Sequence, residues 1–253
     1  MAEQSKIAFV SGAAKRIGRA LALHYAARGW DIAAHYRSEP DEAAALQAKI
    51  EALGRRCRLY QADFADPQTI GPLCARVCED FGPPSMVINS ASVFLRDQAG
   101  AADIAQFQLQ MTVNALHPVL VSEGFAARSE GPLLIVNFLD QKIANFSRDY
   151  FTYTLSKVAL EAATKIHAFG LRKGARVNAI APGIVLPSGG QSQEEFERMA
   201  RKNPAGAIPT LDEICEAVDL MLSAGSMNGT ILYLDGGRHL ARDTGRDDMG
   251  VGA

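Results

Sequence analysis

The chain predicts a single-domain α/β fold, a doubly wound seven-stranded parallel sheet with helices on both faces. Three observations carry this. Short apolar runs alternate strictly with helix-period segments, as in a parallel sheet covered on both sides. A glycine-bearing turn, Gly12 to Gly18, follows the first run and opens the first helix. No repeat, linker or shift in composition divides the 253 residues, a length that suits one large α/β domain. Right-handed crossovers then place a ligand site at the carboxyl ends of the strands.

Taken in order, Lys6 to Ser11 (KIAFVS) is the first strand. The helix after it carries Ile17, Leu21 and Tyr25 at helical spacing and stops at Gly29. Asp31 to Tyr36 is the second strand, followed by a helix over 41–53 and a third strand over 58–62. Pro67 suits the first turn of a helix running to about Phe81. Ser85 to Asn89 is the fourth strand. Two helices, over 103–114 and 118–128, lead to a fifth strand over 133–137. A long helix over 150–171 is apolar at Leu155, Val158, Ala162, Ile166 and Phe169. A sixth strand spans 175–180. The stretch 183–207 is irregular with one short helix over 193–202, and a helix over 211–223 precedes the seventh strand, 230–234. The domain is expected to end at Gly237. The tail 238–253 is polar, mixed in charge, and expected to be mobile unless a neighbouring subunit holds it.

Composition narrows the function. Apolar residues make up 48% of the chain, enough for a sizeable core. A net charge of −2 gives no general attraction to nucleic acid or to an anionic membrane. No apolar run reaches the roughly 20 residues of a membrane span, and the N-terminus has no signal-peptide pattern. Cys57, Cys74, Cys78 and Cys215 lack C-x-x-C spacing, and the five histidines are scattered, so no metal site is expected. Reduced thiols and a cytoplasmic location follow.

The candidate chemistry sits at the strand ends. Gly12, Lys15, Arg16, Ile17 and Gly18 form the first strand-to-helix turn, where backbone amides and the helix dipole suit a pyrophosphate. The second strand ends His35-Tyr36-Arg37-Ser38, with no acid before Glu39. A site for NAD usually carries a carboxylate there, whereas Arg37 and Ser38 suit a 2′-phosphate. NADPH is therefore the expected cofactor. Asp63, followed by Phe64, either accepts from the adenine amino group or serves as a turn residue. Asn89-Ser90-Ala91-Ser92 closes the fourth strand with side chains small enough for a cofactor ring to pass. Tyr153 and Lys157 stand four apart and share a helix face. An ammonium there is expected to lower the phenol pKa and make Tyr153 a proton donor.

These segments together resemble the short-chain dehydrogenase/reductase family from Lys6 to Gly237. The motifs are S-G-x-x-x-x-x-G at Ser11, Asp63, N-S-A-S at Asn89, Asn114, Tyr153-x-x-x-Lys157, Pro182-Gly183 and Leu234-Asp235-Gly236-Gly237. The resemblance implies a Rossmann fold, a nicotinamide cofactor and hydride transfer. It implies that Lys157 contacts the nicotinamide ribose and that Asn114 supports a proton-relay water. It extends the cofactor contacts to Ile17, Phe64 and Pro182-Gly183-Ile184. Homotetramers through the long helix and last strand are the family's habit.

Two departures point further. Arg16 replaces the usual middle glycine of the turn, and Asp140 stands where the family's serine is expected. Both are similar to the pteridine reductase subgroup, as is the His35 to Ser38 segment. In that subgroup an aromatic after the N-x-A-S turn stacks on the pterin, and Phe94 matches it. The expected substrate is a flat heterocycle, a pterin, held by Arg16, Phe94, Asp140 and Tyr153. Arg16 is expected to bind a pterin acceptor or a cofactor phosphate. A carbonyl reductase, of a 3-oxoacyl thioester for example, is the alternative that the missing serine disfavours. A non-catalytic dinucleotide sensor is another, disfavoured by the joint presence of Tyr153 and Lys157.

Overall fold

Residues that alternate along each strand divide between two cores, because successive side chains point to opposite faces of a sheet. Ala8, Val10, Met86 and Ile88 pack on one side with Leu21, Tyr25, Ile214 and Val218. Phe9, Val87 and Ile135 pack on the other with Phe64, Leu73, Val77 and Phe125. The computed structural model describes residues 6–187, 192–200 and 203–241. Seven strands, β1 (Ile7–Ser11), β2 (Asp31–Tyr36), β3 (Cys57–Gln61), β4 (Met86–Asn89), β5 (Leu133–Phe138), β6 (Ala175–Pro182) and β7 (Ile231–Leu234), form one sheet in the order β3-β2-β1-β4-β5-β6-β7. Every neighbouring pair is parallel. The order reverses between β1 and β4, which makes their carboxyl ends the crevice where such sheets take ligands.

The helices are α1 (Arg16–Ala27), α2 (Pro40–Ala52), α3 (Ile70–Phe81), α4 (Ile104–Met111), α5 (His117–Ala126), α6 (Phe151–Gly170), α7 (Gln193–Ala200) and α8 (Leu211–Ser223). α8 starts on a capping box between Thr210 and Glu213. Its far end is closed from β6, where the Arg176 guanidinium donates to the carbonyls of Met221, Leu222, Ala224 and Met227. Helix α6 packs its buried face, including Leu160, against Leu139, Ala179 and Ala181. Among the described residues no helix is long and apolar enough to cross a membrane.

Three expectations need correcting. The two helices expected around Pro118 are one run, α4 passing into α5 through a π turn at Thr112–Leu116. Pro118 has no N–H to return to the Asn114 carbonyl and its ring crowds that carbonyl. The wider π turn absorbs the misfit without ending the helix. The Pro67 turn is a separate 3-10 turn, Pro67–Thr69, capped by Asp66. The sixth strand runs two residues further than expected, to Pro182. Most of the polar tail, 242–253, lies outside the described residues, as do 188–191 and 201–202 of the irregular stretch.

Candidate functional site

The β1 turn is built by close approach of backbone to backbone. Ser11, fully buried, accepts from the amides of Ser90 and Ala91, each at 3.0 Å, and so locks the β1 turn to the β4 turn. Gly12 has a φ of +65°, and a Cβ there would sit 3.0 Å from the Ala91 Cα. A Cβ on Gly18 would lie 2.3 Å from the Gly12 carbonyl oxygen, so the first turn of α1 passes only with glycine there. The N-terminus of α1 has no side-chain cap, leaving amides and dipole for an anion. Lys15 pairs with Glu39 at 3.3 Å. Arg16 adopts a left-handed φ of 53°, and its guanidinium donates to the carbonyls of Pro187 at 2.9 Å and Leu186 at 3.3 Å. It thereby ties the glycine turn to the segment that follows β6.

At the end of β2, Arg37 and Ser38 are exposed while His35 is buried. The His35 Nδ1 accepts from the Gly12 amide at 3.2 Å and the Nε2 donates to the Ala62 carbonyl at 3.0 Å. Both ring nitrogens are used internally and none is left for a ligand. Burial pushes the His35 pKa down to about 4. Its ring stacks on Phe64 at 3.8 Å, and Phe64 on His117 at 4.1 Å, so Phe64 is a core ring. Burial takes His117 down to about 3. Tyr36 is half-buried. The exposed Asp63 carboxylate accepts from the Ala65 amide at 3.0 Å through Oδ1, a bond within the turn after β3.

Beyond β4, the side-chain amide of Asn89 is buried and donates to the side-chain oxygen Oδ1 of Asn137 at 2.8 Å and to the Ser122 hydroxyl at 3.2 Å. Asn114, in the π turn, is also buried. It accepts from the Val93 amide at 2.8 Å and the Ser92 hydroxyl at 2.9 Å. It donates to the Val93 carbonyl at 2.9 Å and to the Ser156 hydroxyl at 3.0 Å. Asn114 therefore fastens the loop after β4 to α6, and its side chain is fully engaged in doing so.

The ionisable centre lies between β5 and α6. Lys157, buried, donates to the Phe138 carbonyl at 2.8 Å, with its ammonium 5.6 Å from the Tyr153 ring centroid. The Tyr153 hydroxyl donates to Asp140 Oδ2 at 2.9 Å, and Asp140 Oδ1 accepts from the Lys142 amide at 2.9 Å. Burial raises the Asp140 pKa and lowers that of Lys157 to about 8. The expectation that Lys157 lowers the Tyr153 pKa is corrected. Burial first, and Asp140 second, push the phenol well above its ordinary value. For this buried phenol, a carboxylate hydrogen-bonded to the hydroxyl disfavours phenolate more than the ammonium favours it. Phe94 is 44% exposed, meets the Tyr153 ring edge-on at 4.6 Å and stacks on Tyr150 at 4.3 Å.

Pro182 closes β6. The Gly183 amide donates to the Leu234 carbonyl at 2.8 Å, and Ile184 is half-buried beside it. The structure thus brings Asp140, Tyr153, Lys157 and Phe94 into one cluster, with Asn114 behind it. Arg37, Ser38 and the glycine turn lie at the ends of β2 and β1. Sequence reasoning missed Tyr150, although its i, i+3 spacing from Tyr153 is a usable signal. It also missed Asp97, which binds the first turn of α6.

Known proteins share this architecture. Dihydromonapterin reductase of Escherichia coli O6:H1 is 28% identical over 94% of this chain and 98% of its own. The crystal structure of FolM alternative dihydrofolate reductase 1 from Brucella canis complexed with NADP superposes with a TM-score of 0.91 at 34% identity, covering 95% of this chain and 96% of that one. A blue fluorescent protein from a metagenomic library, in complex with NADPH, gives 0.85 at 27% identity, covering 92% and 97%. The family model described as enoyl-(acyl carrier protein) reductase matches residues 12–239. The chain belongs to the short-chain dehydrogenase/reductase family.

Proposed function

We propose that this chain is an NADPH-dependent reductase of a pterin. The observation that carries the reading is the Tyr153 hydroxyl bonded at 2.9 Å to Asp140, a carboxyl whose pKa burial raises, beside the exposed ring of Phe94. The relatives named for dihydromonapterin and dihydrofolate reduction, and the neighbours solved with NADP or NADPH, support it. The residues present fit the cofactor. The uncapped N-terminus of α1 suits its pyrophosphate. Arg37 and Ser38 are exposed where a 2′-phosphate would lie, and the nearby Glu39 is neutralised by Lys15. Lys157, Tyr153 and the Pro182 to Ile184 segment would hold the nicotinamide end.

When bound, NADPH supplies the hydride. The chain supplies the proton and the geometry. Reducing a ring C=N bond requires a proton at nitrogen as the carbon becomes saturated. The high pKa of Tyr153 keeps its hydroxyl protonated, and Asp140 orients it. As that proton leaves, the buried Lys157 offsets the negative charge left behind. Asp140 accepts from amino and ring N–H groups when ionised, and donates when protonated. Phe94 offers a flat face to a flat ring. Arg16 spends two of its five N–H donors on the Pro187 and Leu186 carbonyls and keeps the others for substrate or phosphate.

The reading includes a catalytic domain over 1–237, a cytoplasmic location and a homotetramer. Exposed apolar side chains along α6, with Ile166 at 66% and Phe169 at 96%, support assembly. NADPH oxidation measured with dihydropterins, ketones and quinones tests the function. Turnover confined to dihydropterins is expected, and turnover with ketones alone contradicts it.

A further inference from the structure

Helix α6 carries Tyr153 in its first turn but has no cap of its own. Tyr150 occupies the N-cap position in the left-handed region, with φ 56°, and its side chain makes no capping bond. No acid lies in the first turn. The cap comes from the loop after β4, 55 residues earlier. Asp97 Oδ1 and Oδ2 lie 3.2 and 3.1 Å from the Thr152 amide nitrogen, and Oδ2 also accepts from the Thr152 hydroxyl. The Asp97 carbonyl accepts from the Tyr150 amide at 2.8 Å. Around it, Gln98 pairs with Asp149, and the Ala99 amide donates to the Arg148 carbonyl at 3.0 Å. Phe94, three residues before Asp97, touches both Tyr150 and Tyr153.

One loop therefore presents the Phe94 ring and fixes the first turn of the helix that carries the hydroxyl. We propose that Asp97 is a positioning residue for the reaction: by capping α6 at Thr152 it holds the Tyr153 hydroxyl against Asp140 and in register with Phe94. The physical reason is short. An acceptor at an N-terminus satisfies amides that otherwise have no helical partner, and a negative one complements the dipole. Without it the first turn frays, and Tyr153 is the residue immediately after Thr152. The proposal rests on Tyr153 being the proton donor.

The test is single-turnover oxidation of NADPH with a saturating dihydropterin, in H2O and D2O. Asp97→Ala is expected to slow the step by about ten- to a hundred-fold, the scale set by small misplacements of reacting groups. It is also expected to enlarge the solvent isotope effect and to leave NADPH affinity unchanged. Asp97→Asn should restore most of the rate, because asparagine caps nearly as well as aspartate. Thr152→Val removes only the hydroxyl bond and gives a smaller loss of the same kind, even if Asp97→Ala fails to fold. A lowered melting temperature with wild-type rate and isotope effect in Asp97→Ala, or in Thr152→Val where Asp97→Ala does not fold, overturns the proposal. Tyr153→Phe run alongside separates the two failures. Full turnover in that variant removes the donor reading itself, whereas loss there with none in the tested variant removes only the role of Asp97.

Discussion

The two ends of the crevice are built on opposite principles. At β1 and β2 the polar and charged side chains stand in water: Arg37 and Ser38 are exposed, and Lys15 meets Glu39 at the surface. What is rigid there is backbone, held by Ser11, Gly12, Gly18 and the doubly bonded His35. At β5 and α6 the charged groups themselves are enclosed, and Lys157 and Asp140 are displaced from their ordinary pKa values in opposite directions. Solvated side chains on a stiff frame suit recognition of a highly charged ligand, because little desolvation is lost. Enclosed groups suit proton handling, because burial disfavours the charged form and moves the pKa away from its ordinary value.

The largest break of this contrast is Tyr153→Phe. It removes the hydroxyl from the enclosed end and is expected to lower turnover by about a hundred- to ten-thousand-fold, the range for losing a general acid. NADPH binding, measured by fluorescence titration, should barely change. Arg37→Asp works on the solvated end. It should weaken NADPH by about ten- to a hundred-fold, the value of a charge-assisted bond, and spare NADH. Equal weakening of both cofactors would remove the 2′-phosphate assignment.

A smaller effect sharpens the contrast through stability. His35 is held at a folded pKa of about 4 against an ordinary 6.5. The folded state favours the neutral ring, so its contribution is fully present above pH 6.5 and is lost as pH falls toward 4. His117, at about 3, extends the loss to lower pH. Thermal melts from pH 7 to pH 4 should show falling stability, and His35→Gln should flatten the slope. An unchanged slope in that variant would take His35 out of the acid response.

Much of this fold was legible in the sequence, for local reasons. The second strand and the helix over 211–223 were placed to the residue, because apolar periodicity ends there at turn residues. The π turn was not legible, since Pro118 reads as a helix boundary and only packing decides that the chain continues. Within the site, Tyr153, Lys157, Asp140 and Phe94 were named and are found together. Their electrostatics were not legible. The i, i+4 spacing places an ammonium near the phenol, but the bond to Asp140 joins residues 13 apart through a strand-to-helix connection. Asp97 and the Arg16 partners Pro187 and Leu186 are further still in sequence, and no periodicity announces them.

Asp140 carries the central claim, that an enclosed carboxyl in the serine's place makes this a site for N–H-bearing rings. The direct measurement is the pH dependence of turnover for wild type and Asp140→Ser, with a dihydropterin and with a simple ketone. A carboxyl with a raised pKa keeps its proton to higher pH and then loses it, so wild-type activity should fall with rising pH earlier than that of Asp140→Ser. The variant should lose dihydropterin reduction and keep, or gain, ketone reduction, since a ketone offers only an acceptor. If both substrates fall alike and the two pH profiles coincide, Asp140 only shapes the turn at Gln141–Ile143 and the pterin reading loses its main support within the site.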